Sequence, residues 1–127
     1  MPLKLSLKPN ESFVLNGAVV RNGDRRGVLL LETQARVLRE KDILQPEEAN
    51  TPAKATYFAV MQMYLLGETD GPALEQFESA LASLLETLSP GEQRDRALGI
   101  SACLVSGDLY GALSCCRRLV QDEAGGR

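Results

Sequence analysis

The chain has 127 residues, 44% of them apolar, and a net charge of −3 at pH 7. Its length and apolar content are enough to bury a core, which excludes an intrinsically disordered protein. No apolar run approaches the roughly 18 residues of a membrane span, and no apolar signal-peptide block precedes Lys4 and Lys8. We therefore expect a cytoplasmic protein with no membrane-bound part.

Charge is distributed unevenly along the chain. Residues 1–46 hold eight Lys and Arg against five Asp and Glu, a net charge of +3, whereas residues 47–127 hold six against twelve, a net charge of −6. Such a division lets one part attract phosphate while the other meets a different partner. We predict a basic β unit over residues 1–46 and an acidic helical region over residues 47–127.

Alternation of apolar and polar residues predicts strands in the basic region. Asn16-Gly17 is a dipeptide that favours a type I′ hairpin turn. Val28–Leu31 is continuously apolar, which is typical of a strand buried on both faces, and Val37 is expected to point inward. Five short antiparallel strands are predicted, over residues 3–7, 13–15, 18–21, 28–31 and 36–39.

The acidic region shows the three- and four-residue apolar spacing of helices. The first helix is expected to begin after Asn50-Thr51 with Pro52 in the first turn. Ser89 and Glu92 have the spacing of a capping box, which predicts the start of the third helix. The fold class is therefore α+β: a small N-terminal antiparallel β unit of about five strands, followed by a region of four helices.

The residues that usually carry catalysis or bind metal are scarce. The chain has no histidine, the commonest general base and metal ligand. Cys103, Cys115 and Cys116 lie in apolar helical segments, where thiols are expected to stay reduced, protonated and inert. We therefore expect no enzymatic activity, no cofactor and no metal site.

Several separated blocks resemble one protein family. They are Met-Pro-Leu-Lys-Leu-Ser-Leu-Lys-Pro at the start, Phe-Val-Leu-Asn-Gly-Ala-Val-Val at 13–20, Asn-Gly-Asp-Arg-Arg at 22–26, Val-Leu-Arg-Glu-Lys-Asp-Ile at 37–43 and Ala-Thr-Tyr-Phe-Ala-Val at 55–60. In this order they resemble the FlbT family of flagellin-expression regulators. The resemblance implies a cytoplasmic post-transcriptional regulator that binds the 5′ untranslated region of flagellin mRNA and represses translation or promotes decay. In some members the effect is activation.

A narrower resemblance concerns residues 3–43, which are similar to the CsrA-type translational repressors. Members of that family bind mRNA with the edges of an interleaved β dimer. The arginine of their closing Val-x-Arg-Glu-Glu-Ile motif is a principal RNA contact and matches Arg39. Their first strand ends in two basic residues, of which only Lys8 is present here. The resemblance implies a homo-oligomer in which Leu3–Leu7 pairs with a second chain.

The predicted RNA-binding residues combine this resemblance with the charge distribution. Arg36, Arg39 and Lys41 fall near one strand end, and a turn that carries two further arginines is expected to lie nearby. The full set is Arg39, Arg36, Lys41, Lys8, Arg25 and Arg26.

Two alternatives remain open at this point. Arg39 is either an RNA contact or an ordinary surface arginine, solvated or paired with Asp42 or Glu40. The protein as a whole is either an RNA-binding regulator or a helical protein-interaction module. In the second case the helices hold a flagellar regulatory protein or flagellin, and the basic residues only solvate the β unit.

Overall fold

The computed structural model describes residues 3–125, and within them the chain divides into two compact units at the Ile43–Leu44 bond. The first unit contains five strands and the second contains four α-helices. The α+β class predicted from the sequence is confirmed. None of the helices described is both long and apolar enough to cross a membrane.

The first unit consists of two small antiparallel sheets. Its strands are β1 (Leu3–Leu7), β2 (Ser12–Leu15), β3 (Ala18–Arg21), β4 (Gly27–Leu31) and β5 (Val37–Arg39). β1 pairs with β4 in one sheet, and β2 lies between β3 and β5 in the other. All five strand predictions are therefore confirmed, with shifts of one residue at the ends of β2, β4 and β5.

The two sheets pack their apolar faces against each other. Leu5 and Leu7 of β1 and Phe13 of β2 form the buried centre. Partly buried apolar side chains of β2, β3, β4 and β5 pack around it: Leu15, Val20, Leu29, Leu31 and Val37. Val37 thus points inward as expected. Since successive side chains of a strand alternate between faces, Leu38 points the other way, and it is also buried at 2% exposure.

The prediction that Val28–Leu31 is buried on both faces is wrong. Leu29 and Leu31 pack into the core between the sheets, whereas Val28 and Leu30 are 58% and 59% exposed. A continuously apolar strand has both faces covered when layers pack on either side of its sheet. Here β4 belongs to a two-stranded sheet with a core on one face, so half of its apolar side chains meet solvent.

The hairpin between β2 and β3 turns at Asn16-Gly17, as predicted. Both residues have positive φ, 50° and 87°, which a type I′ turn requires. Asn and Gly are the residues that adopt this conformation at least cost. The turn therefore sets the register in which Leu15 faces Ala18 and Phe13 faces Val20.

The second unit begins with a 3₁₀ turn at Pro46–Glu48 and continues as four helices. They are α1 (Pro52–Leu66), α2 (Pro72–Thr87), α3 (Glu92–Val105) and α4 (Leu109–Gly125). α1 is packed between α2 and α4, and α3 packs mainly on α4. Because α1 has a neighbour on two sides, it is buried on more than one face, including Tyr57, Val60 and Met63.

Local capping residues explain both ends of α1, but the cap predicted for α3 does not form. Thr51 Oγ1 accepts the Lys54 N–H at 3.2 Å, and Gly67 ends α1 with φ of 72°. The capping box predicted at Ser89 and Glu92 is wrong, because α3 begins at Glu92 itself and its N-cap is Gly91, which makes no side-chain cap. A capping box needs the Glu at the third helical position.

The three cysteines are free thiols, with Cys116 buried and Cys103 and Cys115 half-buried. Burial raises the pKa of the Cys116 and Cys103 thiols, and their neighbouring cysteines act in the same direction. Among the described residues, no group of three or more His, Cys, Asp and Glu side chains is arranged to hold a metal ion.

Candidate nucleic-acid interface

The centre of the candidate interface is an ion pair between two residues of the first unit. Arg39 Nε and Nη2 lie 3.2 Å and 3.0 Å from Oε2 of Glu11, and Nη2 lies 3.1 Å from Oε1. The same Nη2 also donates to the Ser6 carbonyl of β1. One guanidinium therefore joins the end of β5 to the loop before β2 and to the other sheet.

Glu11 also fixes the turn that follows β1. Its Oε1 accepts the backbone N–H of Lys8 at 2.9 Å. This hydrogen bond, together with the Arg39 guanidinium, holds the pKa of the Glu11 carboxyl below its usual range. The carboxylate therefore stays ionised at neutral pH, and it accepts hydrogen bonds from the Lys8 backbone N–H and from the Arg39 guanidinium at the same time.

A second set of contacts connects this turn to the loop that carries the two arginines. Asn22 Nδ2 donates to the Lys8 carbonyl at 2.8 Å and to the Arg25 carbonyl at 2.9 Å. The backbone adds a bond from Asn10 N–H to the Gly23 carbonyl at 2.7 Å. Lys8 and Arg25 are thereby placed on two adjoining turns, and Arg26 follows directly.

The side chains of this cluster remain available to a ligand. Lys8, Arg25 and Arg26 are exposed, and the Arg39 side chain keeps 28% exposure beside Glu11. The hydrogen bonds of the Arg39 guanidinium use Nε and Nη2, and Nη1 makes no hydrogen bond to the described residues. An arginine held on one edge and open on the other is pre-oriented for an external acceptor.

Of the alternatives considered for Arg39, a salt bridge to Glu40 or Asp42 is not the observed one. Glu40 Oε1 instead accepts the Ser12 N–H at 3.1 Å. The observed partner, Glu11, is 28 residues distant in the sequence. It comes close because Phe13 of β2 lies opposite Arg39 of β5, and Glu11 precedes Phe13 by two residues.

Of the two remaining predicted residues, Arg36 lies apart from this cluster. Arg36 stands at the opposite end of the β2–β5 pair, where its N–H donates to Asn16 Oδ1 at 2.8 Å. Its Nε is buried without a hydrogen-bond partner among the described residues. Lys41 is exposed on the 3₁₀ turn Glu40–Asp42 directly after β5. Arg36 and the Lys8 turn are thus separated by the length of β2, about 13 Å.

Sequence reasoning missed the residues that organise the cluster. Glu11 and Asn22 supply the hydrogen bonds that place Lys8, Arg25 and Arg39, yet neither belongs to a recognisable motif. The short polar turns around them were visible, but their pairing depends on strand register. The unit's only aromatic residue, Phe13, is 2% exposed. This surface therefore offers cations to a ligand but no exposed aromatic side chain on which a base could stack.

Comparison with known proteins gives one consistent family. Residues 3–125 match the family model of the flagellar protein FlbT. The chain is 48% identical over 123 residues to a probable flagellum biosynthesis repressor protein FlbT of Caulobacter sp. (strain K31), covering 97% of this chain and 94% of the relative. It is 47% identical to the flagellum biosynthesis repressor protein FlbT of Caulobacter vibrioides (strain ATCC 19089), covering 97% and 87%.

A more distant relative agrees. The chain is 39% identical over 124 residues to the probable flagellum biosynthesis repressor protein FlbT of Rhodopseudomonas palustris (strain TIE-1), covering 97% of this chain and 95% of the relative. No solved structure gives a significant match. The relatives are matched over nearly their whole length, and of the two resemblances seen in the sequence the one to the FlbT family is confirmed: the chain belongs to the FlbT family of flagellar proteins.

Proposed function

We propose that this protein regulates flagellin expression after transcription, by binding the 5′ untranslated region of flagellin mRNA through its β unit and repressing translation or promoting decay. The relatives are named as repressors of flagellum biosynthesis, which supports a regulatory role. The observation that supports the RNA-binding step is that Lys8, Arg25 and Arg26 are exposed on two adjoining turns joined by Asn22, and that Glu11 binds both the Lys8 N–H and the Arg39 guanidinium.

The mechanism is steric and requires no cofactor. Exposed Lys and Arg side chains neutralise phosphates of a single-stranded or hairpin leader, and counterion release supplies the affinity. Arg39, fixed by Glu11, presents two N–H groups in a plane and reads a phosphate or base edge with more geometric selectivity than a mobile lysine. A bound leader is blocked from the ribosome or exposed to nucleases.

Arg36 and Lys41 take a secondary part in this proposal. Both carry positive charge within the basic unit, so they contribute to the field that attracts RNA. Arg36 lies beyond the cluster, next to the hairpin turn at Asn16. It contacts a longer RNA that runs along β2, and a fragment of two or three nucleotides bound at the Lys8 turn does not reach it.

The test is a salt-titrated gel shift with flagellin leader RNA and a scrambled RNA of equal length. The double variant Arg25→Ala, Arg26→Ala is expected to weaken both complexes and to flatten the slope of log affinity against log salt by about 1.4, or about 0.7 per lost phosphate contact. Arg118→Ala is the matched control, since Arg118 is an exposed arginine of the helical unit.

The outcome that contradicts the proposal is equal and weak binding of both RNAs by the wild type. An unchanged salt slope in the double variant also contradicts it. The competing function, a protein-interaction module whose basic residues only solvate the β unit, then takes its place.

A further inference from the structure

α3 and α4 form a helical hairpin that is closed by a short, well-bonded joint. Gly107 has a φ of 83°, in the left-handed region that commonly follows a helix end. The Asp108 N–H donates to the Cys103 carbonyl at 2.8 Å, and Ser106 Oγ donates to the same carbonyl at 3.0 Å. The joint therefore holds the backbone of Cys103 in place in the last turn of α3.

An ion pair at the other end of the hairpin gives the register of the two helices. Arg96 Nη1 lies 3.6 Å from Asp122 Oδ2, so the start of α3 lies beside the end of α4. Cys103 follows Arg96 by seven residues, and Cys115 precedes Asp122 by seven. Seven residues are close to two helical turns, so each cysteine lies on the same side of its helix as the ion-paired residue. Since the helices are antiparallel, this register places Cys103 opposite Cys115.

The surroundings of the thiols agree with this register. Burial raises the pKa of the Cys103 thiol, and the Cys115 thiol raises it further, through its charge and through a hydrogen bond between the two side chains. Both residues are half-buried, so a small reagent reaches them. Cys116 is 1% exposed, and its side chain leaves α4 at about 100° from that of Cys115. Two of the three thiols thus meet at an accessible rim, and the third lies in the core.

We propose that Cys103 and Cys115 form a redox-modification site, at which a peroxide converts the two thiols into an intramolecular disulfide and a dithiol restores them. The resting state is the reduced one, in which all three cysteines are free. The disulfide closes a loop of residues 103–115 across the joint and links α3 to α4 covalently. Because such a link restricts the unfolded chain, oxidation stabilises the hairpin.

The reaction balances with one hydrogen peroxide as the oxidant. One thiol loses its proton and attacks the O–O bond: an S–O bond forms, the O–O bond breaks, and the departing hydroxide takes up the proton as water. The second thiol attacks the resulting sulfenic sulfur: the S–S bond forms, the S–O bond breaks, and a second water leaves with its proton. Two electrons pass from the sulfurs to the peroxide. Thiolate is the reacting form, so the raised pKa of Cys103 makes the reaction slow at neutral pH.

The test uses the reduced full-length protein, treated with hydrogen peroxide at pH 8. Unfolding in urea with iodoacetamide then labels every thiol that is still free. Trypsin releases residues 97–117 as one peptide with all three cysteines, and a second cleavage before Asp108 separates Cys103 from the other two. Mass spectrometry is expected to show a linked pair of peptides, lighter by two hydrogen atoms, with the label on Cys116 alone. Dithiothreitol should separate the pair.

Variants and thermal melting provide the second readout. Cys115→Ser should abolish the linked pair, whereas Cys116→Ala, the matched control, should retain it. Oxidation should raise the melting temperature of the wild type by about 5 to 10 °C and leave that of Cys115→Ser unchanged. Circular dichroism verifies that each variant is folded.

Four outcomes overturn the proposal. They are a label on Cys103 in the oxidised wild type, a covalent dimer on a non-reducing gel, oxidation of the thiols by oxygen addition without a linked pair, and a melting temperature of the wild type that oxidation does not raise. The first assigns the bond to the adjacent Cys115 and Cys116, and the second assigns it to two chains. Mapping of the wild type needs no variant, so a substitution that impairs folding leaves the test intact.

Discussion

Arg39 and Glu11 form an ion pair, with Nη2 of the arginine 3.0 Å from Oε2 of the glutamate. The pair connects the end of β5 to the turn that contains Lys8, because Glu11 also accepts the Lys8 N–H. A further hydrogen bond from Arg39 to the Ser6 carbonyl connects β5 to the other sheet. The residue that the CsrA-type resemblance assigns to RNA is therefore also a connection between the two sheets. Experiments on Arg39 must separate these two roles.

Arg39→Ala and Glu11→Gln are expected to separate them. Both substitutions break the ion pair, so both should lower the melting temperature. Only Arg39→Ala also removes the open Nη1 edge, so it should flatten the salt slope of RNA binding by about 0.7, whereas Glu11→Gln should leave the slope unchanged. Gel shifts and thermal melts of both variants provide the measurements.

Arg39→Lys completes this comparison. It keeps the positive charge but loses the planar fork, so the salt slope should be retained while discrimination between leader and scrambled RNA falls. Identical slopes and affinities in the wild type, Arg39→Ala and Glu11→Gln proteins would assign Arg39 to the ion pair alone.

The stability of the β unit should decline in acid because of Glu11. The hydrogen bond from the Lys8 N–H and the Arg39 guanidinium lower its folded-state pKa below the ordinary value of 4.5. A carboxyl with a lowered pKa contributes stability above its unfolded-state pKa, and this contribution is lost as pH falls through the folded-state pKa. Urea unfolding between pH 6 and pH 3 should show a smaller decline for Glu11→Gln than for the wild type. Parallel curves would contradict the prediction.

The three thiols should differ in reactivity. Cys116 is 1% exposed and burial raises its pKa, so at pH 8 it holds little thiolate and little access for a reagent. Cys115 is half-buried on the neighbouring position of α4. Brief alkylation of the native protein, read by mass spectrometry of peptides, should modify Cys116 last, and unfolding in urea should remove the difference. Early modification of Cys116 in the native protein would disprove this ordering.

Self-association is expected to involve the β1–β4 sheet. A sheet of two strands is only marginally stable alone, and each of these strands pairs with one strand among the described residues. Its outer face exposes Val28 and Leu30, with Lys4 opposite Leu30. Leu30→Lys should weaken association, measured by sedimentation, more than the control Val19→Lys, whose site is 80% exposed on β3. A monomeric wild type at micromolar concentration would contradict this expectation.

Local chemistry was sufficient to predict most of the elements. Alternation of apolar and polar residues located the five strands, and Asn16-Gly17 located the hairpin. Pro52 and Gly67 marked the start and the end of the first helix. Each of these signals involves two to four neighbouring residues, so it can be recognised without knowledge of the fold. The capping box at Ser89 was wrong because it requires the helix to begin directly after Ser89, whereas α3 begins two residues later, with Gly91 as its N-cap.

The sequence by itself determined that the chain has a basic strand-forming part and an acidic helical part, because composition and periodicity are local properties. Only the tertiary structure decided which charges act together. The register of β2 against β5 brings Glu11 to Arg39, and Asn22 brings the arginine loop to Lys8, while Arg36 is left at the far end of the same strands. Contacts between residues 14 to 33 positions apart depend on strand pairing, and no short-range pattern encodes that pairing.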